Sequence, residues 1–71
     1  MVRLDLLEEA LVASGLKRQF VADSLGLTPQ GLLNKLTGVR SFKIEEVSCL
    51  SEILRLDTSS RDRIFFAQQG E

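Results

Sequence analysis

The chain has 71 residues, of which 44% are hydrophobic and 27% charged, so it has room for a single domain over residues 1–71 and is too apolar to be disordered. No apolar run approaches the length of a membrane span, and Arg3, Asp5 and Glu8 interrupt the region where a secretory signal would be apolar, so we expect a cytoplasmic protein. The chain has one cysteine, Cys49, and no histidine, so it can form neither an internal disulfide nor a zinc site of Cys and His ligands. We expect neither a metal nor a cofactor.

Charge is segregated along the chain, although the net charge is only −1. Residues 15–43 contain five basic residues against one acidic residue, whereas residues 1–14 and 44–71 are both net acidic. The basic residues of this middle section are Lys17, Arg18, Lys35, Arg40 and Lys43. Because a polyanion responds to the local field rather than to the total charge, this distribution favours a nucleic-acid partner.

Three glycines, each followed by an apolar residue, divide the first half of the chain into short helices. The pairs are Gly15-Leu16, Gly26-Leu27 and Gly38-Val39. Glycine adopts the left-handed conformation that ends a helix, and the next apolar residue packs back on the last turn. We therefore predict a first helix over about residues 3–14 and a second over about 18–25. The predicted buried residues are Leu4, Leu7 and Leu11 in the first helix and Val21, Ala22 and Leu25 in the second.

The third helix is predicted to begin with Thr28 as N-cap and Pro29 as its first residue, and to end before Gly38. A fourth helix is predicted over about residues 43–55. Its inner stripe is Ile44, Val47, Leu50 and Leu54, and its outer residues are Glu45, Glu46 and Glu52.

A fifth helix is predicted near the end of the chain, and residues 68–71 are expected to fray. Its candidate caps are Thr58, Ser59 and Ser60, and it includes Ile64, Phe65 and Phe66. No segment alternates polar and apolar residues for long enough to form a strand, so the fold class is all-α with five helices and no sheet.

The second and third helices have the spacing of a helix-turn-helix over about residues 18–37. The small side chain of Ala22 lets the two helices approach, Gly26 permits the turn, and Leu32 packs in the angle between them. On these residues, and on the segment from Leu32 to Phe42, the chain resembles the Cro and phage-repressor (XRE-like) family of helix-turn-helix regulators over roughly residues 4–66.

The resemblance implies a lambda-repressor-like domain whose third helix enters the major groove of DNA, while the start of the second helix and the segment after the third contact phosphates. The implied role is a phage- or prophage-like repressor in a bacterial cell. Two residues depart from the family pattern: Arg18 stands where many members have glutamine, and Lys35 where many have an apolar residue. Because of the second departure, the roll of the third helix, that is, its rotation about its own axis, is not fixed by the resemblance.

Helix geometry gives a DNA-reading face independently of the resemblance. Advancing about 100° per residue from Leu32 and Leu36 places Gln30 and Asn34 on the opposite side of the third helix, and such amides pair bidentately with adenine in the major groove. The candidate base-reading residues are Gln30, Gly31, Leu33 and Asn34, and the candidate phosphate contacts are Lys17, Arg18, Thr28, Lys35, Arg40 and Lys43. Each of them alone could be a solvated residue on a helix surface, and Thr28 could be only a cap, but their grouping favours DNA.

We expect the chain to bind a double-stranded DNA operator as a homodimer, because one small interface gives little affinity. The expected dimer contact is Ile64, Phe65 or Phe66 on the fifth helix, with one of the two phenylalanines in the core. The alternative is a protein-interaction module, such as an antitoxin or anti-regulator surface, which the acidic net charge and the apolar residues Phe20, Leu33 and Phe66 favour. The sequence contains no constellation of catalytic groups, so we expect no enzyme, and Cys49 is expected to be a small buried hydrophobe.

Overall fold

A computed structural model describes residues 2–66 and shows five α-helices, with no strand in that range. The helices are α1 (Leu4–Ser14), α2 (Arg18–Ser24), α3 (Pro29–Leu36), α4 (Ile44–Ile53) and α5 (Thr58–Phe65). The predicted all-α class with five helices is therefore confirmed. Within residues 2–66 no helix is both long and apolar enough to cross a membrane. The predicted fraying of residues 68–71 lies outside the described residues.

Glycine ends the first three helices, as the sequence predicts. Gly15, Gly26 and Gly38 have φ angles of 73°, 72° and 87°, in the left-handed region. After α2, Leu27 N–H donates to the Ala22 carbonyl at 2.8 Å and Gly26 N–H donates to the Asp23 carbonyl at 3.1 Å. These two bonds form a Schellman motif, which satisfies carbonyls at the end of the helix and reverses the chain toward α3.

The fourth helix ends in the same way without a glycine. Arg55 has a φ of 55°, and its N–H donates to the Glu52 carbonyl while Leu56 N–H donates to the Ser51 carbonyl. Arg55 thus occupies the position that glycine occupies after α2. The predicted fourth helix, which ran to residue 55, was too long for this reason.

The core is formed by one face of every helix. It consists of Leu7 and Leu11 of α1, Val21 and Ala22 of α2, Leu32 of α3, Val47 and Leu50 of α4, and Ile64 and Phe65 of α5. Ile44, predicted on the inner stripe of α4, is instead 67% exposed, and Glu46, predicted outside, is buried. The helix starts at Ile44, so this residue lies at the outer end of the first turn, beyond the packed layer.

Two helices begin with side-chain caps. Thr28 Oγ1 accepts a hydrogen bond from Gly31 N–H at 3.0 Å at the start of α3, as predicted. For α5 the predicted caps were wrong, because Asp57 is the N-cap and its Oδ1 accepts from Ser60 N–H at 2.7 Å. Aspartate and serine are comparable N-caps, but a carboxylate also interacts favourably with the helix dipole, and the three predicted residues lie inside the first turn of α5.

Candidate nucleic-acid interface

The pair α2 and α3 is held by the turn between them. Ala22 is fully buried, its carbonyl accepts from Leu27 N–H, and Leu32 of α3 is also buried. The residue before Pro29 is restricted to an extended backbone, and Thr28 has it, with φ −77° and ψ 161°. The start of α3 is thereby fixed by the Schellman motif on one side and by the Thr28 cap on the other.

The outer face of α3 carries polar side chains joined to one another. Gln30 is exposed, Asn34 is half-buried, and Gln30 Nε2 donates to Asn34 Oδ1 at 3.0 Å. This bond leaves the Gln30 amide oxygen as an acceptor and the Asn34 NH₂ group as a donor for an external partner. Leu33 is 50% exposed beside them, and Thr37 is exposed one turn on, although its hydroxyl donates to the Leu33 carbonyl at 2.9 Å.

Gly31 has a local reason to be glycine. A Cβ atom there would lie 3.2 Å from Thr28 Oγ1, the atom that caps α3. A larger residue would therefore press on the cap. Gly31 is also half-buried, and because glycine has no side chain it contributes only backbone and Cα atoms to the outer face.

Lys35 does not lie on the outer face, and its predicted role as a phosphate contact is corrected. Its Nζ donates to Glu46 Oε1 at 2.5 Å, and the two side chains are only 10% and 9% exposed. Lys35 belongs to the inner side of α3 with Leu32, so α3 is rolled to expose Leu33 rather than residue 35. Because of this ion pair, one of the five basic residues in residues 15–43 is not available to an external partner.

Glu46 binds two donors with the same oxygen atom. Besides Lys35, Glu46 Oε1 accepts from the Lys43 N–H at 2.9 Å, at the start of α4. Burial alone would raise the pKa of Glu46, but the hydrogen bonds from Lys35 and the Lys43 backbone, together with both positive charges, outweigh it, so the pKa lies below its usual value. The carboxylate is therefore ionised at neutral pH.

The other candidate phosphate contacts are exposed. Arg18 forms an exposed ion pair with Glu8 of α1, with N–O distances of 3.2 and 2.5 Å, and it lines a shallow groove with Pro29 and Leu33 of α3. The hydrogen bond from Arg18 is the main reason that the pKa of Glu8 is lowered. An exposed pair of this kind is worth little, so a phosphate can replace the Glu8 carboxylate.

Lys17, Arg40 and Lys43 are exposed, and none of them lies within 4.0 Å of a carboxylate of residues 2–66. Arg40 is placed by its backbone, because its N–H donates to the Asn34 carbonyl at 3.1 Å. Two basic residues thus lie beside α3: Arg18 lines a groove against it, and the backbone of Arg40 is bonded to the carbonyl of Asn34.

The connection from α3 to α4 is attached to the core by Phe42. Its ring meets that of Phe65 edge to face, with centroids 6.1 Å apart and an interplanar angle of 84°. Phe65, the last residue of α5, is 3% exposed, while Phe66, which follows the helix, is 46% exposed. The prediction that only one of them would be internal is confirmed.

Fewer of the predicted dimer residues are accessible than the sequence indicated. Ile64 and Phe65 are buried in the core and cannot meet a partner without unfolding, so these two assignments are corrected. Phe66 stays exposed, with the Arg61 guanidinium 5.9 Å from its ring centroid. Cys49, expected to be buried, is half-buried, and its thiol donates to the Ser24 carbonyl at 3.3 Å.

Sequence reasoning missed the exposed apolar residue Ile44 and the buried Lys35–Glu46 pair. The departure of Lys35 from the apolar pattern was the available signal for the pair. Comparison of the chain with protein-family models, with curated proteins and with solved structures finds no match.

Proposed function

We propose that this protein is a sequence-specific, double-stranded DNA-binding regulator in which α2 and α3 act as a lambda-repressor-like helix-turn-helix. The observation that carries the proposal is the Gln30–Asn34 amide pair on the exposed face of α3. Two exposed cations support it: Arg18, which lines a groove beside α3, and Arg40, whose backbone is bonded to the Asn34 carbonyl.

In the proposed complex, α3 lies in the major groove and its amide pair faces a base edge. The Gln30 oxygen accepts from adenine N6, and the Asn34 NH₂ group donates to N7. Leu33 contacts a thymine methyl group. Lys17, Arg18, Arg40 and Lys43 neutralise phosphates, which supplies affinity without sequence information.

The proposed biological role is that of a phage- or prophage-type repressor in the bacterial cytoplasm, bound to the nucleoid at its operator. Two copies occupy two half-sites about one helical turn apart, since one chain buries too little surface for tight binding. Of the predicted dimer residues only Phe66 is exposed, and it forms the centre of the proposed contact.

The test is selection of bound duplexes from a randomised DNA library, followed by sequencing. The proposal predicts one enriched inverted repeat, and its loss in a variant with both Gln30→Ala and Asn34→Ala. Gln19→Ala is a matched control, because Gln19 is an exposed amide bonded to Asp23 on α2, and it should select the same sequence. Absence of any enriched sequence at low salt would refute the proposal.

A second function, binding of a protein partner, is favoured by one observation. Phe20 is 49% exposed and Leu33 is 50% exposed, so two large apolar side chains lie on the surfaces of α2 and α3. Exposed apolar residues of this size are common at protein interfaces. The two functions differ in their salt dependence, because DNA binding through several phosphates weakens steeply with salt and an apolar contact does not.

A further inference from the structure

The buried ion pair between α3 and α4 is an unusual device in so small a core. Lys35 lies in the last turn of α3, directly after Asn34, and Glu46 lies in the first turn of α4. Their ion pair joins the end of α3 to the start of α4. Glu46 Oε1 also receives the Lys43 N–H, so one atom fixes both ends of the connection over residues 37–43.

Stability alone is a poor explanation for this pair. Removing two charges from water costs about as much as their attraction returns, and replacing such a pair by apolar groups of similar size is often neutral or stabilising. The ion pair differs from an apolar contact in what its separation costs. A rotation of α3 that parts Lys35 Nζ from Glu46 Oε1 would leave two buried charges unpaired, whereas apolar side chains can repack after a small rotation.

The same contact controls where the candidate DNA contacts lie. Asn34 is adjacent to Lys35, and the Asn34 carbonyl accepts from Arg40 N–H at 3.1 Å. A rotation of α3 by a few tens of degrees would move the Gln30–Asn34 pair off the base edge and would shift Arg40 with it. Such a misalignment reduces discrimination between sequences more than it reduces attraction to phosphates.

We propose that Lys35 and Glu46 are positioning residues that set the roll of α3 and the path of the connection after it, and thereby the sequence discrimination of the domain. This inference rests on the proposed DNA-binding function. It assigns to Lys35 an indirect part in DNA recognition, in place of the direct phosphate contact that its charge indicates.

The test is the double variant Lys35→Met with Glu46→Gln. Glutamine keeps an oxygen for the Lys43 N–H, so the start of α4 is preserved, while the ion pair is removed and the net charge is unchanged. The matched control is Arg3→Met with Asp5→Asn, which removes an exposed ion pair on α1 with the same change in charge. Affinity is measured for the operator selected by the wild type and for a scrambled duplex.

The expected result for Lys35→Met with Glu46→Gln is a melting temperature within a few degrees of the wild type and a fall of about ten-fold in the ratio of specific to non-specific affinity, which equals about 1.4 kcal/mol. Binding to the scrambled duplex should be unchanged, and Lys35→Arg should keep most of the ratio. Exchange of the Arg40 amide hydrogen should become faster, a readout that needs no DNA.

Three outcomes would overturn the inference. The first is an unchanged ratio of specific to non-specific affinity, and the second is an equal fall of that ratio in the Arg3 and Asp5 control. The third is a variant that no longer folds, since this would show that the pair is needed for the fold itself. Failure of the proposed function gives a different result, because the wild type would then select no operator while the Arg40 exchange measurement would still report on the pair.

Discussion

The cap of α3 provides the most direct test of how the candidate DNA-reading helix is built. Replacing Thr28 by alanine removes the oxygen that accepts the Gly31 N–H and leaves the rest of the helix start in place. Thr58→Ala is a matched control, because Thr58 is also a threonine at a helix start, but there Asp57 is the cap. The two substitutions delete the same atoms from exposed residues, at the N-cap position of α3 and at the first position of α5.

The expected cost of Thr28→Ala is about 1 kcal/mol of unfolding free energy, the usual value for a lost threonine N-cap. The Gly31 N–H can be hydrated after the change, because Thr28 is exposed and Gly31 only half-buried, so the cost should not reach the upper end of roughly 2 kcal/mol. For a domain of this length, 1 kcal/mol corresponds to a fall of roughly 4–8 °C in melting temperature. Thr58→Ala should cost less than about 0.5 kcal/mol.

The assay is thermal unfolding followed by circular dichroism, with urea unfolding as a second measure of the same free energy. Equal losses for Thr28→Ala and Thr58→Ala would refute the reasoning, because they would show that the hydroxyl of Thr28 contributes nothing specific. A Thr28→Ala variant as stable as the wild type would do the same. Thr28→Ser should keep most of the stability in either assay, since serine also caps helices.

Four further substitutions test other parts of the fold by the same unfolding measurements. Leu50→Ala should cost about 2–5 kcal/mol because Leu50 is fully buried, whereas Ile44→Ala should cost less than about 0.5 kcal/mol; similar costs would contradict the observed inner face of α4. Arg55→Gly should raise the melting temperature, because glycine removes the strain of the left-handed backbone at φ 55°, and this gain in stability exceeds the loss from the greater entropy of the unfolded chain. A lower melting temperature would argue against this strain. Asp57→Ser should remove a pH dependence of the stability. Hydrogen bonds from Ser60 hold the pKa of Asp57 below its ordinary 3.8, so its contribution to the free energy of unfolding is present above that pH and is lost as the pH falls through the lower folded-state value. An advantage over Asp57→Ser that does not shrink as the pH is lowered below 3.8 would contradict this.

Local signals in the sequence predicted much of the fold. Glycine followed by an apolar residue gave the ends of the first three helices because the left-handed conformation has a local cause. The start of α3 was predicted from Thr28 and Pro29 for the same reason. The end of α4 was missed because Arg55 adopts that conformation without being glycine, and only the surrounding hydrogen bonds show it.

The candidate site was less accessible to sequence reasoning. The outer position of Gln30 and Asn34 follows from helix periodicity, but the bond between them depends on rotamers. Lys35 was placed with the surface cations because a lysine is seldom buried, and its partner Glu46 lies on another helix, eleven residues away. Phe65 rather than Phe66 is internal, and it packs against Phe42, a contact over 23 residues that periodicity cannot reveal.

The salt dependence of DNA binding tests the central claim most directly. With Lys17, Arg18, Arg40 and Lys43 as the exposed cations, each copy should release counterions from up to about four phosphates, which predicts a slope of log K against log salt near −3.6 per copy bound. Arg40→Gln should reduce the steepness by about 0.9. Two results would contradict the account. One is an affinity for duplex DNA that does not change between 50 and 200 mM salt, and the other is no binding to DNA at 50 mM salt.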